Sequence, residues 1–305
     1  MVRNLKMIGC YAQTELGHGS NVAALETTAT FDPETDEFVI HSPTTTSTKY
    51  WPGDLGRFAS HAIVMARLIV GDQDYGTTPF MVQLRDVDTW KHMPGVQSGD
   101  IGPKIGYHSK DNGWASFNKV RIPRTDMLMG LTSLDREGNF EIAGDLRALY
   151  TIMMMIRVTI VYKGNSAIGM AATIATRYSA IRRQFKTIEG SKEERSLLDY
   201  QTQQYKLAPM IALCYIQTTV GHYCNEGFVE LMKGMDNGEF DRLDVMHHLL
   251  AGYKAIFSDR IVAMVEIARK SCGGAGYSAW SGFPNLFFNT SPVPTYEGDN
   301  TVMLL

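Results

Sequence analysis

Over roughly the first 125 residues the apolar positions recur with a period of two. Leu25, Thr27, Ala29 and Phe31 alternate with Glu26, Thr28 and Thr30, as a strand with one buried face requires. Asp32-Pro33-Glu34-Thr35-Asp36 supplies a turn and the alternation resumes at Phe38 and Ile40, which predicts a hairpin. Further strands are expected at His61–Val70, Pro79–Leu84 and Trp114–Ile122, with Pro52-Gly53, Pro94-Gly95 and Gly102-Pro103 in the gaps. Such a run of short strands predicts a small β-barrel or sandwich, residues 1–134.

After Ile122-Pro123 the period lengthens to that of helices, and residues 135–305 read as a helical domain. One helix is expected from Asp145 to Lys186 with an interruption near Gly164 or Gly169, and a second from Lys192 to Met235 with a kink at Pro209. Leu207, Ile211 and Cys214 mark one face of the second, and Leu213, Ile216, Val220 and Tyr223 another, so it is expected to be covered on both sides. A third, Asp241 to Lys270, carries Leu249, Tyr253, Phe257, Ile261, Met264 and Ala268 at spacings of three and four. Three long helices with short connections predict an antiparallel bundle. The fold class is therefore α+β, a β domain followed by a helical bundle.

Composition narrows the function classes. A chain of 305 residues that is 44% hydrophobic can bury a sizeable core, and a net charge of −3 gives no field for nucleic acid or an acidic membrane surface. Cys10, Cys214, Cys224 and Cys272 lack metal-ligand spacing, so they read as reduced thiols and no metal is expected. The apolar run Ile152 to Tyr162 is too short to cross a bilayer and is broken by Arg157. Met1 to Lys6 holds no apolar leader, and Val302-Met303-Leu304-Leu305 is not a Ser-Lys-Leu type address, so no sorting signal is visible.

Five segments hold candidate chemistry. Ser291 to Thr301 contains Glu297-Gly298, a carboxylate beside a glycine on a loop, and Glu297 is the candidate general base; an ordinary solvated turn is the alternative. Cys10 to Ser20 holds Gly17 and Gly19 after Gln13 and Thr14, a loop whose backbone can approach a flat or anionic ligand, or else a tight turn. It is not a dinucleotide fingerprint, since neither a preceding strand nor a following helix is expected. Tyr50-Trp51-Pro52-Gly53 can wall an aromatic ring or form a core corner. Tyr178, Arg182 and Phe185 share one helix face, where Arg182 suits a phosphate or simply faces solvent with Arg183. Cys272-Gly273-Gly274-Ala275-Gly276-Tyr277 reads as a glycine-capped helix end or as a close approach to a diphosphate.

Taken together and in order, these segments, with Gly99-Asp100-Ile101-Gly102-Pro103-Lys104 and Asp199 to Leu207, resemble the acyl-CoA oxidases, the peroxisomal branch of the acyl-CoA dehydrogenase superfamily. The resemblance covers nearly the whole chain, and Gln13-Thr14-Glu15-Leu16-Gly17-His18-Gly19 favours the oxidase branch. It implies an acyl-CoA dehydrogenase-like fold lacking the N-terminal helical domain, non-covalently bound FAD, and oxidation of fatty acyl-CoA to trans-2-enoyl-CoA with oxygen reduced to hydrogen peroxide. It implies a peroxisomal setting and a homodimer. By matching motif, Glu297 removes the α-proton, and its backbone N–H with Gly298 lies at the substrate. Thr14 and Gly53 contact the flavin, and Arg182, Gly273 and Gly274 reach the FAD of a neighbouring subunit. Asp54 stands where many members carry a second glycine, which places its charge either near the flavin or in solvent. Two other readings remain open: a dehydrogenase that passes electrons to a flavoprotein, and a catalytically silent homologue with an assembly role.

Overall fold

The computed structural model describes residue 4 and residues 6–186, 189–190 and 192–305, so Met1, Val2, Arg3 and Leu5, part of the segment read for a leader, lie outside the described residues. The chain divides into two compact units, Met1–Lys104 with His108–Leu146, and Ile105–Tyr107 with Arg147–Leu305.

The first unit is β structure. Its strands are β1 (Gly9–Ala12), β2 (Thr28–Asp32), β3 (Glu37–His41), β4 (Lys49–Gly53), β5 (His61–Val70), β6 (Gln73–Gln83), β7 (Val96–Asp100), β8 (Asn112–Phe117), β9 (Val120–Pro123), β10 (Thr132–Leu134) and β11 (Phe140–Ile142). A six-stranded mixed sheet runs β1-β5-β2-β3-β9, with β6 on the other edge of β5. β5 is long enough to serve β1 and β2 in turn, both parallel to it. A three-stranded sheet runs β4-β8-β7, and β10-β11 form a separate hairpin. Phe38, Ile40, Val64, Leu68 and Phe80 from the larger sheet meet Val96, Ala115 and Phe117 from the smaller in one core, and burying each large side chain contributes about 1.5–3 kcal/mol.

The predicted hairpin forms with Ala29 opposite Ile40 and Phe31 opposite Phe38. The expected strand Trp114–Ile122 is two strands, because Lys119 turns the chain with φ +53. Pro52-Gly53, read as a gap, closes β4, and a short strand does precede the Gly17-His18-Gly19 loop, although no α-helix follows it. A boundary at residue 134 would cut the β10-β11 hairpin, whose register pairs Leu134 with Phe140.

The second unit is helical: α1 (Thr151–Lys163), α2 (Asn165–Ile181), α3 (Gln201–Asp236), α4 (Leu243–Ser271), α5 (Gly273–Tyr277), α6 (Phe283–Thr290) and α7 (Asn300–Met303). The break between α1 and α2 falls at Gly164, whose missing Cβ would lie 2.5 Å from the Gln217 amide nitrogen. α2 stops at Ile181 rather than Lys186, because residues 182–185 turn to hydrogen-bond residues 195–197 in extended pairing. α3 starts nine residues later than expected and continues through Pro209. Its second apolar face is only half covered: Leu213 and Val220 pack against the bundle cores, while Ile216 and Tyr223 are 54% and 60% exposed. Two cores fill the bundle, one around Ile168, Leu207, Met210, Ile261 and Phe283, the other around Met154, Val161, Cys224, Leu250 and Phe257.

Candidate active site

Glu297 and Gly298 sit between the end of α6 and α7, and both have positive φ, +57 and +105. The left-handed region is open to Gly298 at no steric cost, but for Glu297 it costs of order 1 kcal/mol or more and persists only where surrounding contacts hold it. Two buried cations supply them. Arg157 of α1, 3% exposed, donates from Nε to the Glu297 carbonyl at 3.1 Å. Lys254 of α4, 0% exposed, donates from Nζ to the Gly298 carbonyl at 2.5 Å, to the Pro294 carbonyl at 3.2 Å and to Asn300 Oδ1 at 2.9 Å. Asn300 is itself tied to α4 through Nδ2, which donates to Ser258 Oγ and the Ala255 carbonyl.

Held in this way, Glu297 presents two functional groups. Its carboxyl accepts no hydrogen bond from the described residues, and among them nothing accepts from its backbone N–H. Burial raises its pKa, partly opposed by the charges of Arg157 and Lys254. Burial in turn depresses Arg157, and it lowers Lys254 to about 8, with Arg157 adding to the effect and Asp299, Asp259 and Glu297 opposing it. A carboxylate poised above its ordinary range beside an unpaired N–H is suited to take a proton next to a carbonyl whose developing negative charge the N–H can receive. Arg157 entered the sequence reading only as an interruption of an apolar run, and Lys254, Ser258 and Asn300 did not enter it as site residues. The available signal was Arg157 alone, a cation inside an otherwise apolar stretch.

Gly273 and Gly274 open α5. Gly273 needs its φ of +56, and a Cβ on either would meet nothing within 4 Å, so this backbone faces open space. Gly276 is glycine for packing, since a Cβ there would lie 2.0 Å from the Arg269 carbonyl oxygen. Arg182 does not share a helix face with Tyr178 and Phe185: it is the exposed residue that caps α2, in extended conformation, and its guanidinium meets the Gln184 side chain at 3.3 Å. Arg183, by contrast, is committed to the Glu194 carbonyl. Buried Gln203 joins the two ends, donating to Ser179 Oγ and to the Ser271 carbonyl, both at 2.9 Å. The last turns of α2 and α4, which lead into Arg182 and Gly273, are therefore fixed to each other.

In the β unit, the loop of Thr14 is locked by its neighbour. Glu15, 2% exposed, pairs with fully buried Lys49 at 2.9 Å. Its carboxylate also accepts from the Glu26 and Thr27 N–H groups and the Thr27 hydroxyl. The Lys49 ammonium donates further to the carbonyls of Gln13 and Met65. Tyr50 N–H donates to the Thr14 carbonyl at 2.9 Å, which sets Thr14 against β4, the strand that Gly53 ends. Asp54 adopts φ +66, the conformation a glycine there would take freely, and its carboxylate meets Lys110 at 2.7 Å, so its charge is neutralised at the surface.

Residues 150–305 match the family described as acyl-CoA oxidase, C-alpha1 domain, and residues 10–120 match acyl-CoA dehydrogenase, middle domain. The peroxisomal acyl-coenzyme A oxidase 1 of Pongo abelii is 44% identical over 303 residues, 99% of this chain and 46% of that protein. Among solved structures, Arabidopsis thaliana acyl-CoA oxidase 1 is 45% identical with a TM-score of 0.94, over 99% of this chain and 46% of that one. Acyl-CoA oxidase-2 of Caenorhabditis elegans, bound with FAD, ascaroside-CoA and ATP, gives a TM-score of 0.95 at 40% identity, with the same coverage of 99% and 46%. The chain thus spans about half the length of the curated relatives it matches.

Proposed function

Because this chain belongs to the acyl-CoA oxidase family, we propose that it serves the FAD-dependent oxidation of a fatty acyl-CoA to the trans-2-enoyl-CoA, with oxygen reduced to hydrogen peroxide, in the peroxisome and as a homodimer. The observation that carries this reading is Glu297. Its carboxyl is free of hydrogen bonds and raised by burial, and it sits in a left-handed turn gripped through the carbonyls of residues 297 and 298.

The α-proton of a thioester is only weakly acidic. A base with a raised pKa and a donor at the carbonyl oxygen lower the barrier together, and a positioned general base contributes about 10²–10⁴-fold. Glu297 takes that proton, and its own N–H receives the charge that develops on the thioester oxygen. FAD held by these residues would supply the acceptor for the β-hydride and the route of its electrons to oxygen. The chain's residues fit such a group. Gly273 and Gly274 offer open backbone for a diphosphate, Arg182 keeps an exposed guanidinium, and the Thr14 and Gly53 loops are stiffened from within. Arg182, Gly273 and Gly274 would hold the FAD of the neighbouring subunit, and Thr14 and Gly53 would hold the ring of the chain's own.

The test is anaerobic addition of a long-chain acyl-CoA to the chain purified with FAD. The flavin band should bleach and should return with stoichiometric peroxide when air is admitted. Glu297→Gln should keep the band and slow bleaching by about 10²–10⁴-fold. Bleaching without peroxide would favour an electron-transferring dehydrogenase, and a chain that binds no flavin would favour an assembly role.

A further inference from the structure

A lysine ammonium removed from water costs several kcal/mol unless its partners compensate for it. Lys254 is fully buried on α4, and its three N–H donors meet three acceptors, the carbonyls of Pro294 and Gly298 and the Asn300 side chain. None of these is a carboxylate. The acceptors belong instead to one short segment, on both sides of Glu297. Arg157 approaches the same segment from α1 and binds the carbonyl between them. Consecutive carbonyls at 297 and 298 are thus turned onto two cations, which fixes the backbone torsions that hold the Glu297 carboxyl and N–H where they are.

We propose that Lys254 is a positioning residue for Glu297: its ammonium clamps the loop through the Pro294 and Gly298 carbonyls and Asn300. The same charge, close to the carboxyl, favours its ionised form. The catalytic meaning of this rests on the oxidase reading above. The ionisable groups around Lys254 are Arg157 on α1, Asp259 on α4, and Glu297 and Asp299 in the loop. Of these, Arg157 opposes its charge and the three carboxylates favour it. A lysine serving only to fill space would leave the ionisation of Glu297 untouched. A clamp of this design couples the two.

The experiment uses two variants of the full chain, Lys254→Met and Lys254→Gln, and two readouts that need no turnover. The first is the ¹³C carboxyl NMR titration of Glu297, assigned by the resonance lost in Glu297→Gln. The second is amide hydrogen exchange of the peptide covering residues 294–300. Both variants should titrate the Glu297 carboxyl at higher pH than the unsubstituted chain. Lys254→Met should speed exchange of the loop by on the order of tenfold, and Lys254→Gln, which keeps an N–H donor, should speed it less. A carboxyl midpoint that stays put or falls, or a loop whose exchange is unchanged in Lys254→Met, overturns the proposal; should that variant fail to fold, Lys254→Gln decides by the same criteria. An unsubstituted chain that binds FAD but never bleaches would refute the oxidase reading instead, while these two measurements still decide whether Lys254 clamps the loop.

Discussion

Removing the Asn300 side chain should uncouple the Glu297 loop from α4, and the cost can be worked from its contacts. Asn300 is 8% exposed. Its Oδ1 accepts from the Lys254 ammonium at 2.9 Å, and its Nδ2 donates to Ser258 Oγ at 2.9 Å and to the Ala255 carbonyl at 3.1 Å. A neutral hydrogen bond contributes about 1 kcal/mol net and one to a charged group about 2 kcal/mol, so Asn300→Ala should cost about 4 kcal/mol. For a unit of this size that corresponds to roughly 10 °C in Tm. Ser258→Ala removes one neutral partner and should cost only about 1 kcal/mol. The assay is thermal unfolding of the purified chain followed by calorimetry, with the transition of the helical unit read separately from that of the β unit. A shift for Asn300→Ala no larger than that for Ser258→Ala would refute the reasoning, because it would mean that Lys254 finds an equal partner when Asn300 is gone.

Other outcomes follow from the same contacts. Gly276→Ala places a methyl group 2.0 Å from the Arg269 carbonyl oxygen and should destabilise the helical unit by about 1–3 kcal/mol in a denaturant melt. Gly274→Ala meets open space, so its melt should stay within about 0.5 kcal/mol while FAD retention on a desalting column falls. Lys49→Met strands the buried Glu15 carboxylate and should cost the β unit about 3–5 kcal/mol, with faster proteolysis of the loop carrying Thr14. Burial raises the Glu297 pKa from 4.5, so between that value and the raised one the folded state holds a proton that the unfolded state has lost. Stability therefore falls as pH rises through this window, and Glu297→Gln should gain in Tm relative to the unsubstituted chain as pH increases. A Tm difference independent of pH would count against the buried carboxyl.

How much of this was legible in the sequence depended on the range of the interaction involved. Period-two alternation placed the β2-β3 hairpin and spacings of three and four placed α4, because burial of one face acts on neighbouring residues and leaves its period in the chain; glycines marked the helix break at Gly164 or Gly169, and the fold chose Gly164. Glu297-Gly298 was visible too, since a carboxylate beside a glycine is a local arrangement. Tertiary contacts decided the rest. α2 ended early because residues 195–197 offered its last residues a competing partner, so Arg182 left the helix face that spacing assigned to it. Arg157 stood out only as a break in an apolar run, and neither Lys254 nor Lys49 carried any local signal. Each is buried because its charge meets carbonyls or a carboxylate from segments 16–140 residues away. A buried cation is tolerated only where distant acceptors converge on it, and that convergence exists in the fold and has no period in the sequence.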